Sequence, residues 1–82
     1  MTGEIIGEVC EILEYINENT SVPRNIRETA SECSELLQDE EQEESIKISS
    51  VLGKLDEISN DPNIPVHART LIWEILSKLE SI

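Results

Sequence analysis

Two cysteines, one histidine and two of the three arginines are the residues of this 82-residue chain whose types and spacing could do chemistry. Cys10 and Cys33 fall at or beside the core-facing positions of helical stripes. Forty-two residues further on, their places are taken by Leu52 and Ile75. Aliphatic stand-ins mark both thiols as small hydrophobes. In an antiparallel hairpin the two could approach each other, so a disulfide is geometrically conceivable, but a reducing cytosol argues for free thiols. His67 has no second His or Cys at ligand spacing, and a zinc site therefore lacks its minimum set. It also has no neighbouring nucleophile. Its place just after Pro65 suits a capping or surface role. The acids Asp39, Glu40, Glu41, Glu43 and Glu44 lack the glycine turn and the spacing of a calcium loop. Asp56 and Glu57 lie on an exposed face with no apolar pocket to separate their pKa values. Gly3, Gly7 and Gly53 are scattered, so no phosphate loop is formed. The residues thus offer no catalytic group, no metal set and no cofactor motif, and the chain reads as a non-enzyme.

Arg27 and Arg69 each follow a proline by four residues. A cation so early in a helix opposes the dipole, so something local must compensate. Carboxylates or turn carbonyls near Glu14 and Asn19, and near Asp56 and Asp61, are the expected partners. Both arginines are read as structural braces, a guanidinium fork tying the preceding helix and turn to the following helix. Anion binding is the alternative. Trp73, Leu76 and Arg69 adjoin on one side of the last helix, where the sister positions are Ser31, Ser34 and Arg27. Trp and Arg are enriched at interface hot spots, so these three are the candidate interface. The rival reading has Trp73 covering the core from its edge.

The elements that must hold these residues repeat. Residues 9–37 and 51–79 align without a gap at an offset of 42, with 7 identities in 29 positions, most of them apolar or at helix starts. A repeat of this length is one supersecondary unit used twice, each copy covering the other's apolar face. The two copies run over approximately 4–38 and 42–80. In the first helix, Ile5, Val9, Ile12, Leu13 and Ile16 recur at three- and four-residue spacing, with glutamates opposite. The second starts at Pro23, with Ser21 as the expected cap, and is lined by Ile26, Ala30, Cys33 and Leu37. The acidic run 38–44 reads as a turn leading into helix three, or else as a flexible linker. Helix three carries Ile48, Val51, Leu52, Leu55 and Ile58. Gly53 weakens it by up to about 1 kcal/mol, and close helix approach is the compensation expected there. Helix four enters at Pro65 with Ala68, Leu71, Ile72, Ile75, Leu76 and Leu79. Short connections make sequential helices antiparallel neighbours. The fold is therefore expected to be an all-α, up-and-down four-helix bundle of two duplicated hairpins. Two stacked HEAT-like hairpins are the alternative, suggested by the Pro–x–x–x–Arg spacing.

The segment from Leu55 to Leu79, LDEISNDPNIPVHARTLIWEILSKL, resembles a small uncharacterised archaeal protein family whose members carry almost this wording. VPRNIR at Val22–Arg27 fits it as well. The resemblance implies a compact all-helical domain in a cytoplasmic archaeal setting. It implies no activity and brings no catalytic residues.

Size and charge bound the rest. The chain is one domain with no Phe, one Trp and one Tyr, so the core must come from 12 Ile, 8 Leu and 4 Val. With so little aromatic area, self-association would add useful burial. Net charge is −12, with 13 acids and 2 bases in residues 1–45 and 5 acids and 4 bases in residues 46–82. No basic patch exists to meet a phosphate backbone, which disfavours direct nucleic-acid and anionic-membrane binding. No leader is visible, and no run reaches the roughly 20 apolar residues a bilayer requires. The chain is read as a cytoplasmic interaction or scaffolding module that forms homo-oligomers, the acidity serving solubility, adaptation to a salty cytosol or a basic protein partner. The alternatives are an acidic accessory factor binding basic proteins of a nucleoprotein such as the ribosome, and a small-ligand binder.

Overall fold

A computed structural model describes residues 2–82. Four helices follow one another: α1 (Thr2–Glu18), α2 (Arg24–Gln38), α3 (Glu44–Ser59) and α4 (Val66–Glu80). At 15 to 17 residues each, they span about 22–25 Å at 1.5 Å per residue. The molecule measures 32 × 21 × 19 Å, which is one helix long and two helices wide. α1 packs on α2 and α4, and α3 packs on α2 and α4, while among the described residues the backbones of the diagonal pairs stay further apart. Stacked HEAT-like hairpins would instead set α1 beside α3 and α2 beside α4. The fold is the up-and-down four-helix bundle.

The core follows from the aliphatic spacing. Val9, Leu13, Ile16, Val22, Ile26, Ala30, Cys33 and Leu37 are all buried. So are Val51, Leu55, Ile58, Ile64, Ala68, Ile72, Ile75 and Leu79, each 42 residues after its counterpart. Full burial of one such aliphatic side chain contributes about 1.5–3 kcal/mol. Ile5, Ile12, Ile48, Leu52, Leu71 and Leu76 pack against this interior only in part. Gly53 is exposed on α3, and a Cβ there would meet nothing within 4 Å. It serves no close helix approach, because it points away from both neighbouring helices.

The three connections share one geometry. Asn19, Asp39 and Asp61 each turn a side-chain oxygen onto the N–H two residues ahead, at 3.0, 2.9 and 2.8 Å. This Asx turn reverses the chain without left-handed backbone, and no described residue has positive φ. Pro23, Glu43 and Pro65 then stand in extended conformation just ahead of their helices. Each prolyl or glutamyl carbonyl accepts the backbone N–H four residues on, from Arg27, Lys47 and Arg69. The prolines therefore flank their helices and do not open them. Ser21 is not the cap of α2. Asn19 Oδ1 takes both its N–H (3.0 Å) and its hydroxyl (2.7 Å), which holds Ser21 in the turn. The acidic run is a turn over residues 39–43 followed directly by α3.

At one end of the bundle the first and third connections are cross-linked twice. Asn25 Nδ2 donates to Asp61 Oδ2 at 3.0 Å. Asn19 Nδ2 lies 3.1 Å from His67 Nε2. Because Asn19 Oδ1 is already engaged by Ser21, its amide nitrogen must face the imidazole, which accepts. Residues 25 and 67, like 19 and 61, are 42 apart, so the two bonds mirror each other.

Candidate functional site

The two arginines end on backbone carbonyls and not on carboxylates. Arg69 Nε donates to Ser59 O at 3.1 Å, and Nη2 reaches Asp61 O at 3.5 Å. The two bonds join the end of α3 and the turn to the start of α4, the fork proposed for both arginines. Arg27 departs from it. Its Nε donates to Val22 O at 3.0 Å, within its own turn, and neither Glu14 nor Asn19 is engaged by it. The guanidinium closes a short local ring there, five residues back along the chain.

Sequence reasoning missed Lys47. It is 8% exposed, and its ammonium donates to Asp39 O at 2.8 Å and Leu37 O at 3.3 Å. Lys47 thus repeats the Arg69 arrangement, bonding the Asx-turn residue and the residue two before it. The signal was present: Arg27, Lys47 and Arg69 each lie four residues after the residue flanking the helix. An offset of 42 could not find it, because Lys47 serves the link between the copies.

The thiols do not form an active centre. Both are free, Cys33 buried and Cys10 half-buried. Burial pushes the Cys33 thiol up to about 11. Burial also raises that of Cys10, outweighing its contacts with Ser34 and Gln38. Neither is poised as a thiolate nucleophile. His67 is exposed and occupied with Asn19. Asp39 spends its carboxylate on the Glu41 N–H and the Gln42 amide. Among the described residues no three His, Cys, Asp or Glu side chains gather as metal ligands. A polar hollow of about 220 Å³ lies between α2 and α3, lined by Thr29, Glu32, Lys54, Glu57 and Ile58. The Thr29 hydroxyl is already given to Asn25 O at 3.1 Å.

The seam between α3 and α4 is different in kind. Arg69, Trp73, Leu76 and Glu80 follow one another at helical spacing along the outer side of α4. Trp73 is 56% exposed and does not close the core. Leu76 is half-buried and packs on the core with Leu52 of α3. Beside them, at the start of α3 and the end of α4, lies a groove of about 420 Å³. Ile48, Leu52, Leu79 and Ile82 supply its apolar surface, with Ser45, Ser49, Glu44 and Glu80 polar around them. The matching seam between α1 and α2 keeps Ile6 and Leu37 but is more polar beside them. Cys10 and Ser34 stand where the second copy has Leu52 and Leu76, and Gln38 stands where it has Glu80. There Gln38 Nε2 donates to Ser34 Oγ at 3.0 Å, and Cys10 lies against both. Tyr15, Ile46 and Val66 are also exposed, but scattered apolar side chains are ordinary on a protein surface. No described helix is long and apolar enough to cross a membrane.

Comparison with known proteins places the chain among archaeal relatives. Residues 1–82 match the model of the uncharacterised protein family UPF0147. A UPF0147 protein of Methanothermobacter thermautotrophicus is 56% identical over 82 residues, covering 100% of this chain and 80% of the relative. One from Pyrococcus furiosus is 44% identical over 80 residues, covering 96% and 86%. Two crystal structures share the fold. MMP1188, a protein of unknown function, superposes with a TM-score of 0.94 at 43% identity, covering 100% of this chain and 93% of its own. A UPF0147 member from Thermoplasma acidophilum gives 0.93 at 35%, covering 96% and 93%.

Proposed function

The chain belongs to the uncharacterised family UPF0147, and we propose that it is a non-enzymatic, cytoplasmic protein–protein interaction module that self-associates through α3 and α4. The observation that carries this reading is Trp73. An indole 56% exposed beside Leu76 and an apolar groove is the composition of an interface centre. The face also lies in the half of the chain with 5 acids and 4 bases, away from the half with 13 acids and 2 bases. Two copies meeting there keep their strongly negative halves apart. Gel filtration and sedimentation of wild type and Trp73→Ala test the proposal. An oligomeric wild type whose Trp73→Ala variant elutes unchanged would remove Trp73 from the interface, and a monomeric wild type would end the reading.

One feature favours a second reading, as an acidic factor that binds basic proteins of a nucleoprotein. Glu4, Glu8, Glu11, Glu14 and Glu18 are all exposed along α1, a surface suited to a basic partner. Salt-sensitive co-purification with ribosomes supports it. Absence from ribosomal fractions at low salt counts against it.

A further inference from the structure

We propose that two copies associate about a twofold axis at Leu76, each inserting its Trp73 into the α3–α4 groove of the other. The inference rests on the self-association reading and adds its geometry. Trp73 and Glu80 are seven residues apart, hence on one face of α4 and about 10 Å apart along it. Leu76 stands between them. A twofold axis there turns the helices antiparallel, lays Leu76 against its own copy and brings each indole over the partner's groove. That groove, at about 420 Å³, falls within the roughly 300–1,000 Å³ of clefts that hold ligands. Ile48, Leu52 and Leu79 offer apolar contact to the ring.

Charge selects the same arrangement. Arg69 lies one turn from Trp73, and Glu44 and Glu80 flank the groove. The rotation therefore sets the guanidinium end of one copy against the carboxylate end of the other, in two places. A parallel arrangement would oppose like charges. The sister seam cannot accept an indole in this way, because it presents Cys10, Ser34 and Gln38, with the latter two joined at 3.0 Å.

The test uses sedimentation equilibrium together with Trp73 fluorescence, which is unambiguous because the chain has one Trp. Dimer formation should shift the emission to the blue and shield it from iodide quenching. Trp73→Ala, and Ser49→Trp as a groove-filling change, should each weaken the dimer at least about thirtyfold, as loss of a hot spot does. Mixing these two variants should recover association, since one intact indole then meets one intact groove. Glu80→Lys should weaken the dimer although it makes the chain less negative, which general repulsion alone would not predict. A dimer whose Trp73 stays equally quenchable at all concentrations, or variants that fail to rescue each other, would overturn the insertion and leave self-association standing. A monomer up to millimolar concentration would overturn both. A monomer whose Trp73 emission responds to an amphipathic Lys/Leu peptide would make a basic partner the occupant and overturn the second copy.

Discussion

Lys47→Met isolates the polar part of the link between the two hairpins. Methionine retains an apolar, flexible stem of similar length, so packing along α3 is largely kept. What disappears is the ammonium that donates to Asp39 O at 2.8 Å and Leu37 O at 3.3 Å. A hydrogen bond from a charged donor contributes about 1.5–3 kcal/mol. The second contact is long, and the turn carbonyls can recruit water once the ammonium is gone, which lowers the total to about 2 kcal/mol. For a domain of this size each kcal/mol moves the melting temperature by about 4–8 °C, so the variant should melt about 10 °C lower. Circular dichroism at one fixed protein concentration measures it, since the proposed self-association would make the midpoint concentration-dependent. Amide exchange should quicken near residues 39–47 and stay slow in the middle of α1. A midpoint within about 2 °C of wild type would refute the reasoning. So would a higher midpoint, which would mean that desolvating the ammonium costs more than its two bonds return.

The arginines should rank with their bonds. Arg69→Ala, losing two carbonyl partners, should lower the melting temperature by about 10 °C, and Arg27→Ala, losing one, by about 5 °C; equal effects would contradict the structure. Gly53→Ala should stabilise α3 by up to about 1 kcal/mol, since the position is exposed and a Cβ meets nothing within 4 Å, and a lower midpoint would reveal a contact the fold does not show. Cys33 should make the protein alkali-sensitive. Its folded value of about 11 exceeds the 9.0 of an exposed thiol, so its contribution is whole below pH 9 and drains away between pH 9 and 11, as the unfolded thiol ionises first. Cys33→Val should flatten that part of the stability curve, and native Cys33 should resist thiol reagents until the chain is unfolded.

The interior was legible because one kind of side chain builds it. Aliphatics at three- and four-residue spacing can mean only a buried helical stripe here, and the 42-residue register carried the pattern from Val9 to Val51 and onward to Leu37 and Leu79. Periodicity does not report depth, however. Ile48, Leu52 and Leu76 read as core from their spacing, yet they are half-buried, because four helices in a ring leave room inside for one narrow stripe from each. The turns were the least legible part. Ser21 has the chemistry of a cap, but Asn19 sits two residues before it and takes the hydroxyl first. Nothing in the local sequence singles out Lys47, a lysine in the first turns of α3. Its burial depends on where α2 ends relative to α3, a three-dimensional fact that local sequence does not state.

The mirrored bonds Asn25–Asp61 and Asn19–His67, together with eight buried pairs at one offset, repeat one geometry in both halves, as the proposed duplication of one hairpin would. On that reading, comparing the copies separates what folding requires from what has changed since. Each buried apolar position has a buried apolar counterpart, so the demands of the core account for little of the divergence. The surface changes run in two directions. The first half carries the row of exposed glutamates on α1. The second replaces Ser31 with Trp73, Ser34 with Leu76, Cys10 with Leu52 and Gln38 with Glu80. Those four differences fall on one seam: three of them add apolar surface, and a groove opens beside an exposed indole where the first half has Gln38 bonded to Ser34. Stability alone does not favour exposing a Trp to water, since its apolar area gains nothing until something covers it. The seam between α3 and α4 is therefore where the two halves differ most in exposed apolar area, and its exposed indole is not explained by the demands of the core.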